Sequence, residues 1–130
     1  VFGGSFLLLM LAGCALTVAV ETTVLLVGLS RRHPVRAKLF AGAWLTACTY
    51  PVVWLVLPAV FADRTAYLVA AETFAPAAEC VLFWVAFVRP FPPDRRATAR
   101  DLAAVVVANL ASFGVGELLF LVVDPAVLTG

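Results

Sequence analysis

Four acidic side chains in this sequence stand inside long apolar runs: Glu21, Glu72, Glu79 and Glu117. A carboxyl group near the middle of a bilayer costs roughly 2.5 to 3.5 kcal/mol on insertion scales, so each needs a partner or a task. Glu21 lies ten residues before Arg31, Glu79 ten before Arg89, and Asn109 nine after Arg100. At a rise of about 1.5 Å per residue, these three groups stand at one level, ~15 Å from the basic ends of their segments. The matching position ten or eleven residues after Lys38 is Cys48 or Thr49. The spacing therefore predicts a mid-membrane polar layer of Glu21, Thr49, Glu79 and Asn109, a set of side chains suited to holding a proton or a cation. A second, outer layer is predicted ~25 Å in, where Glu72 and Glu117 are each seventeen residues from Arg89 and Arg100.

Glu72 and Glu79 are seven residues apart and share one helix face, with Pro76 between them and Phe83 extending the line. The opposite side carries Phe74, Val81, Val85 and Val88, which suits lipid. Proline inside a helix leaves a carbonyl without its donor. Pro76 thus frees an acceptor at Glu72, Pro51 one at Ala47 near Thr49, and Pro58 one at Trp54.

The elements that must position these groups follow from composition. Of the 130 residues, 64% are apolar and 13% are charged, against about 25% charged in a soluble domain. The mean hydropathy of +1.06 comes from uninterrupted apolar runs. With a net charge of +1 and three widely spaced cysteines, the chain fits neither a disordered segment, nor a disulfide scaffold, nor a nucleic-acid-binding domain. Apolar stretches cover 2–29, 39–62, 66–88 and 102–123, each near or above the ~20 residues that cross a hydrocarbon core. The ~10-residue alternating segments of a membrane barrel are absent. The expectation is an all-α polytopic membrane protein, one domain over 1–130, with four transmembrane helices in an antiparallel bundle.

Eight of the nine basic residues fall in two connections: Arg31, Arg32, Arg36 and Lys38 in the first, and Arg89, Arg95, Arg96 and Arg100 in the third. Only Arg64 lies at the other end. Short loops rich in Lys and Arg stay cytoplasmic, so these are read as cytoplasmic basic loops, with both termini and the Asp63–Thr65 turn outside. Richness in Ala, Val and Arg suggests a GC-rich bacterial genome and hence a bacterial inner membrane. On the fourth segment Ala104, Ala108, Ser112 and Gly116 recur every four residues, a helix-packing seam along which another helix can approach closely.

Three kinds of function compete. The first is a small accessory or structural subunit, its carboxyl groups neutral hydrogen-bonders in low dielectric, assembling through the seam with other membrane-protein subunits. The second is a proton- or cation-coupled small transporter or channel using the mid-membrane glutamates. Small multidrug transporters are similar in size and helix number, but their dual topology rests on weak charge bias, and this chain is not assigned to them. The third, an intramembrane enzyme, is disfavoured: no nucleophile, base and orienting group fall at recognised spacing, and His33 reads as a solvated loop residue before Pro34. Cys14, Cys48 and Cys80 lie on separate segments without a Cys-x-x-Cys pair, so no metal centre is expected; Cys48 and Cys80 do share a depth with Glu79. Leu11-Ala12-Gly13-Cys14 resembles a lipoprotein lipobox, but the chain continues apolar to Leu29 instead of opening into a polar segment. The expected partners are the lipid bilayer and other membrane subunits, with no nucleic acid; no residue pattern identifies a cofactor.

Overall fold

The computed structural model describes residues 4–129, without the side chains at 120, 121 and 123–129. Among the described residues there is no strand. Four helices account for the fold: α1 (Gly4–Gly28), α2 (Val35–Val60), α3 (Arg64–Val88) and α4 (Arg95–Thr129). All four are long and apolar enough to cross a membrane, which marks the chain as an integral membrane protein by length and composition. Helices meet that environment because each satisfies its own backbone hydrogen bonds.

The helices at the basic end start earlier than the apolar runs do. Pro34 holds the extended backbone that precedes α2. Asp94 accepts a hydrogen bond from the Ala97 backbone N–H at 3.1 Å and caps α4, which starts at Arg95, seven residues before Leu102. Arg36, Lys38, Arg95, Arg96 and Arg100, expected in loops, therefore lie in the opening turns of α2 and α4. Hydropathy locates where a helix becomes apolar, whereas a cap decides where it begins. At the opposite end Asp63 caps α3 through the Ala66 N–H at 2.8 Å.

Two of the basic residues also finish α1. Nε of Arg100 donates to the Gly28 carbonyl at 2.9 Å, and Nζ of Lys38 to that of Leu29 at 3.3 Å. Cations thus satisfy the carbonyls that a helix C-terminus leaves without intrahelical partners.

α2 and α3 each contain a wide turn with i→i+5 bonding, over Val52–Val56 and Trp84–Val88. In α2 the Leu57 N–H reaches back to Val52, and Pro58 brings no N–H for Val53. The hydroxyl of Tyr67 donates to that Val53 carbonyl at 3.0 Å. In α3 the wide turn rotates Val88 inward. It is buried, contrary to the lipid-facing position that unbroken helical periodicity predicts, while Val81 and Val85 do face outward.

α1 packs against α2 and α4, and α3 against α2 and α4. Small residues allow the approach: a Cβ on Gly28 would stand 2.9 Å from that of Ala104, and one on Gly42 would stand 2.9 Å from the Thr22 Cβ. Leu25, Leu29, Leu45, Phe83 and Val105 are all but fully buried and form the apolar core near the basic end. Outward, Leu8, Val27 and Val122 are at least 70% exposed. This distribution places oil outside and several polar groups inside, the arrangement expected of a chain whose solvent is lipid.

Candidate functional site

Glu21 on α1 and Glu79 on α3 are 3% and 2% exposed, and their carboxyl groups interact directly. Glu21 is met by two hydroxyls: Ser112 donates to Oε1 at 2.8 Å, and Thr46 to Oε2 at 3.0 Å. Glu79 receives the Thr49 hydroxyl at 3.2 Å and is also met by the Asn109 side chain. The four helices each supply at least one member, so Glu21, Thr49, Glu79 and Asn109 lie together, joined by Thr46 and Ser112.

These hydroxyls have competing acceptors. Thr49 Oγ1 is also 3.1 Å from the Leu45 carbonyl, and Ser112 Oγ is 3.0 Å from that of Asn109. Each hydroxyl carries one hydrogen. A single bond rotation therefore moves a donor between a carboxyl group and a helix carbonyl, and the site can accommodate more than one protonation state without moving a helix.

Above the pair, a cavity of about 780 Å³ runs toward the end of the molecule that carries the Asp63 turn. Both carboxyl groups line its floor, with Glu72 on its wall, and its described lining contains no Lys, Arg or His. Tyr50, Trp54 and Phe113 form aromatic walls, and Tyr50 and Trp54 stack at 5.6 Å between ring centroids. Pro51 breaks the α2 pattern beside them, followed by the wide turn at Val52–Val56.

The two members of the outer layer are near enough for Glu72 to feel the charge of Glu117, but they have different surroundings. Glu72 is half-buried in the cavity wall, whereas Glu117 turns to Arg64 at 3.1 Å. The seam is divided too. Ala104 and Ala108 are buried, Ser112 is half-buried and bonded to Glu21, and Gly116 is exposed. Cys48 is exposed and Cys80 lies 3.8 Å from the Leu102 carbonyl, so these thiols do not join Glu79 as a ligand set. Among the described residues no group of three His, Cys, Asp or Glu side chains could hold a metal ion.

The basic end is closed by a second polar cluster. Asp101 is fully buried and accepts from the Ser30 backbone N–H at 2.7 Å and from Arg32 Nη2 at 2.9 Å, with His33 Nε2 at 2.8 Å. His33 is 3% exposed, packed edge-on against Phe83, Phe87 and Phe91. It is a buried residue, not the solvated loop residue its basic neighbours suggest, because α4 starts early enough to carry Asp101 to it. Buried Phe83 and Leu45, one turn from Glu79 and Thr49, lie on the side of the site that faces this cluster.

Comparison of the chain with protein-family models, with curated proteins and with solved structures gives no significant match.

Proposed function

We propose that this chain is a small proton- or cation-coupled membrane transporter in which the Glu21–Glu79 pair is the loading site. One observation carries the reading: two carboxyl groups in contact form the floor of a cavity whose described lining offers no basic side chain. Two such groups resist ionising together and suit sharing one proton. A structural role alone would need the hydrogen bonds but not 780 Å³ of space above them.

In this reading the four helices form an antiparallel bundle, with the basic ends facing the cytoplasm of a bacterial inner membrane and the cavity facing outside. The charge bias supports that sidedness. The Asp101 cluster then acts as the inner closure. A role as an accessory subunit draws on the same polar layer, but it relied on the small-residue seam for docking, and this chain's own α1 covers the Ala104 end.

The test is proton flux in liposomes loaded with a pH-sensitive dye. With a mixture of inorganic and organic cations supplied on the opposite side for exchange, the intact chain should dissipate an imposed pH gradient, and Glu79→Gln should slow that by at least tenfold while keeping its helical spectrum. Equal rates for the two proteins would overturn the proposal. In that event, recovery of a stoichiometric membrane partner from native membranes would favour the subunit role.

A further inference from the structure

We propose that the cavity binds a monovalent lipophilic organic cation with an aromatic or otherwise flat body, in exchange for a proton on the Glu21–Glu79 pair. The inference rests on the transport reading and names the substrate class of the same site.

Size decides first. A volume of about 780 Å³ falls within the roughly 300–1,000 Å³ of pockets that hold a drug-sized molecule. A bare metal ion would leave most of it empty, and no cluster of three ligating side chains exists among the described residues. Charge decides next. Glu21, Glu79 and Glu72 are the ionisable carboxyl groups of the lining, and no basic side chain offsets them. An anion would be repelled once a proton leaves, whereas a cation replaces the charge of that proton. Wall chemistry decides last. Tyr50, Trp54 and Phe113 give the lining aromatic and apolar area for the body of such a molecule, and aromatic rings attract positive charge through their quadrupoles. A hydrated inorganic ion gains little from such walls.

The exchange balances. One cation enters, one proton passes from the shared carboxyl pair to water, and the net charge of the occupied site is unchanged. Loading should therefore be competitive with protons, and binding should weaken as pH falls through the range in which the pair takes up its proton.

The probe is tetraphenylphosphonium, titrated calorimetrically into the purified full chain in detergent micelles. The expected result is saturable binding that weakens up to tenfold per pH unit on acidification, with close to one proton released per cation, read as a dependence of the heat on buffer ionisation. Glu79→Gln should weaken binding at least tenfold. Trp54→Ala should weaken it severalfold and leave proton release per bound cation intact, which keeps the test informative if the glutamate variant does not fold. Equal binding of tetraphenylborate, or of neutral triphenylphosphine oxide, would show an apolar crevice that accepts lipid-like molecules and would overturn the proposal. So would binding indifferent to pH and to Glu79→Gln. Glu79-dependent proton flux without phosphonium binding would sink this inference and leave the transport reading standing. Phosphonium binding without flux would do the reverse.

Discussion

Oδ2 of Asp101, in α4, lies 2.8 Å from Nε2 of His33, in the connection between α1 and α2, and both side chains are buried. The same carboxylate holds Arg32 and the Ser30 backbone N–H, so one residue ties the end of α1 and the start of α2 to α4. Removing one partner of a buried ionic cluster leaves the others without compensation, at a cost of about 3 kcal/mol or more. Asp101→Ala should lower the thermal unfolding midpoint in detergent markedly. Asp101→Asn, whose amide oxygen still accepts from Ser30, should lower it less. Equal midpoints for the wild type and Asp101→Ala would mean that the cluster does not hold the basic end together.

Glu21 separates hydrogen bonding from proton handling. Its carboxyl group accepts from both Thr46 and Ser112. Glu21→Gln keeps an acceptor oxygen there, while Glu21→Ala leaves the Thr46 hydroxyl without its acceptor, turns that of Ser112 to the Asn109 carbonyl, and adds a void to the cavity floor. Each unsatisfied buried group costs roughly 1–3 kcal/mol, so the alanine variant should be the less stable by about 2 kcal/mol or more in reversible denaturation. The glutamine variant should stay near wild type in stability and still lose proton flux. A glutamine variant as unstable as the alanine one would show that the carboxyl group is needed to hold the helices together.

The depth of the polar layer was legible because helical rise is constant: counting from Arg31, Arg89 and Arg100 aligned Glu21, Glu79 and Asn109. Thr46 was not singled out, although it lies three residues before Thr49 on the same side of α2 and faces Glu21. Its signal was adjacency on the helix face, which becomes decisive only once the neighbouring helix is known. Asp101 and His33 were hidden for a different reason. They are 68 residues apart, and their meeting depends on the α4 start, which the apolar run misplaces by seven residues. Asp94 after Pro92 and Pro93 carried the correct boundary, since a capping acid following prolines marks a helix start. The inward turn of Val88 had no such marker: a wide turn shifts the face of every residue within it, and no residue type announces one.

Close helix approach at Gly42 should be intolerant of even one methyl group. A Cβ there would stand 2.9 Å from the Cβ of Thr22 and 3.0 Å from its Cα. The Thr22 hydroxyl, nearer still, can rotate aside, but its Cβ and Cα cannot, so relief would also require moving the α1 backbone. Overpacking of this kind costs about 1–3 kcal/mol. Gly114, on α4, has nothing within 4 Å of the corresponding position, so Gly114→Ala should be neutral or mildly stabilising through helix propensity. Thermal unfolding of the two variants side by side checks the contrast, and equal effects would mean that α1 and α2 are not held as closely as Gly42 implies.

Sidedness is open to direct measurement, because the two ends of the molecule differ so strongly in charge. With Cys14, Cys48 and Cys80 replaced by alanine, single cysteines at Arg31, Thr65 and Pro92 probe exposed positions at the two ends. Eight of nine basic residues lie at the end shared by Arg31 and Pro92, and short basic connections are retained in the cytoplasm. In intact cells a membrane-impermeant maleimide should therefore label Arg31→Cys and Pro92→Cys only after permeabilisation, and Thr65→Cys without it. Labelling of Arg31→Cys and Pro92→Cys from opposite sides would separate α1 and α4 in direction, break the common depth of Glu21, Glu79 and Asn109, and remove the basis for a shared site. Uniform reversal, with Thr65→Cys alone protected, would keep the site but turn the cavity toward the cytoplasm and make the Asp101 cluster its outer closure.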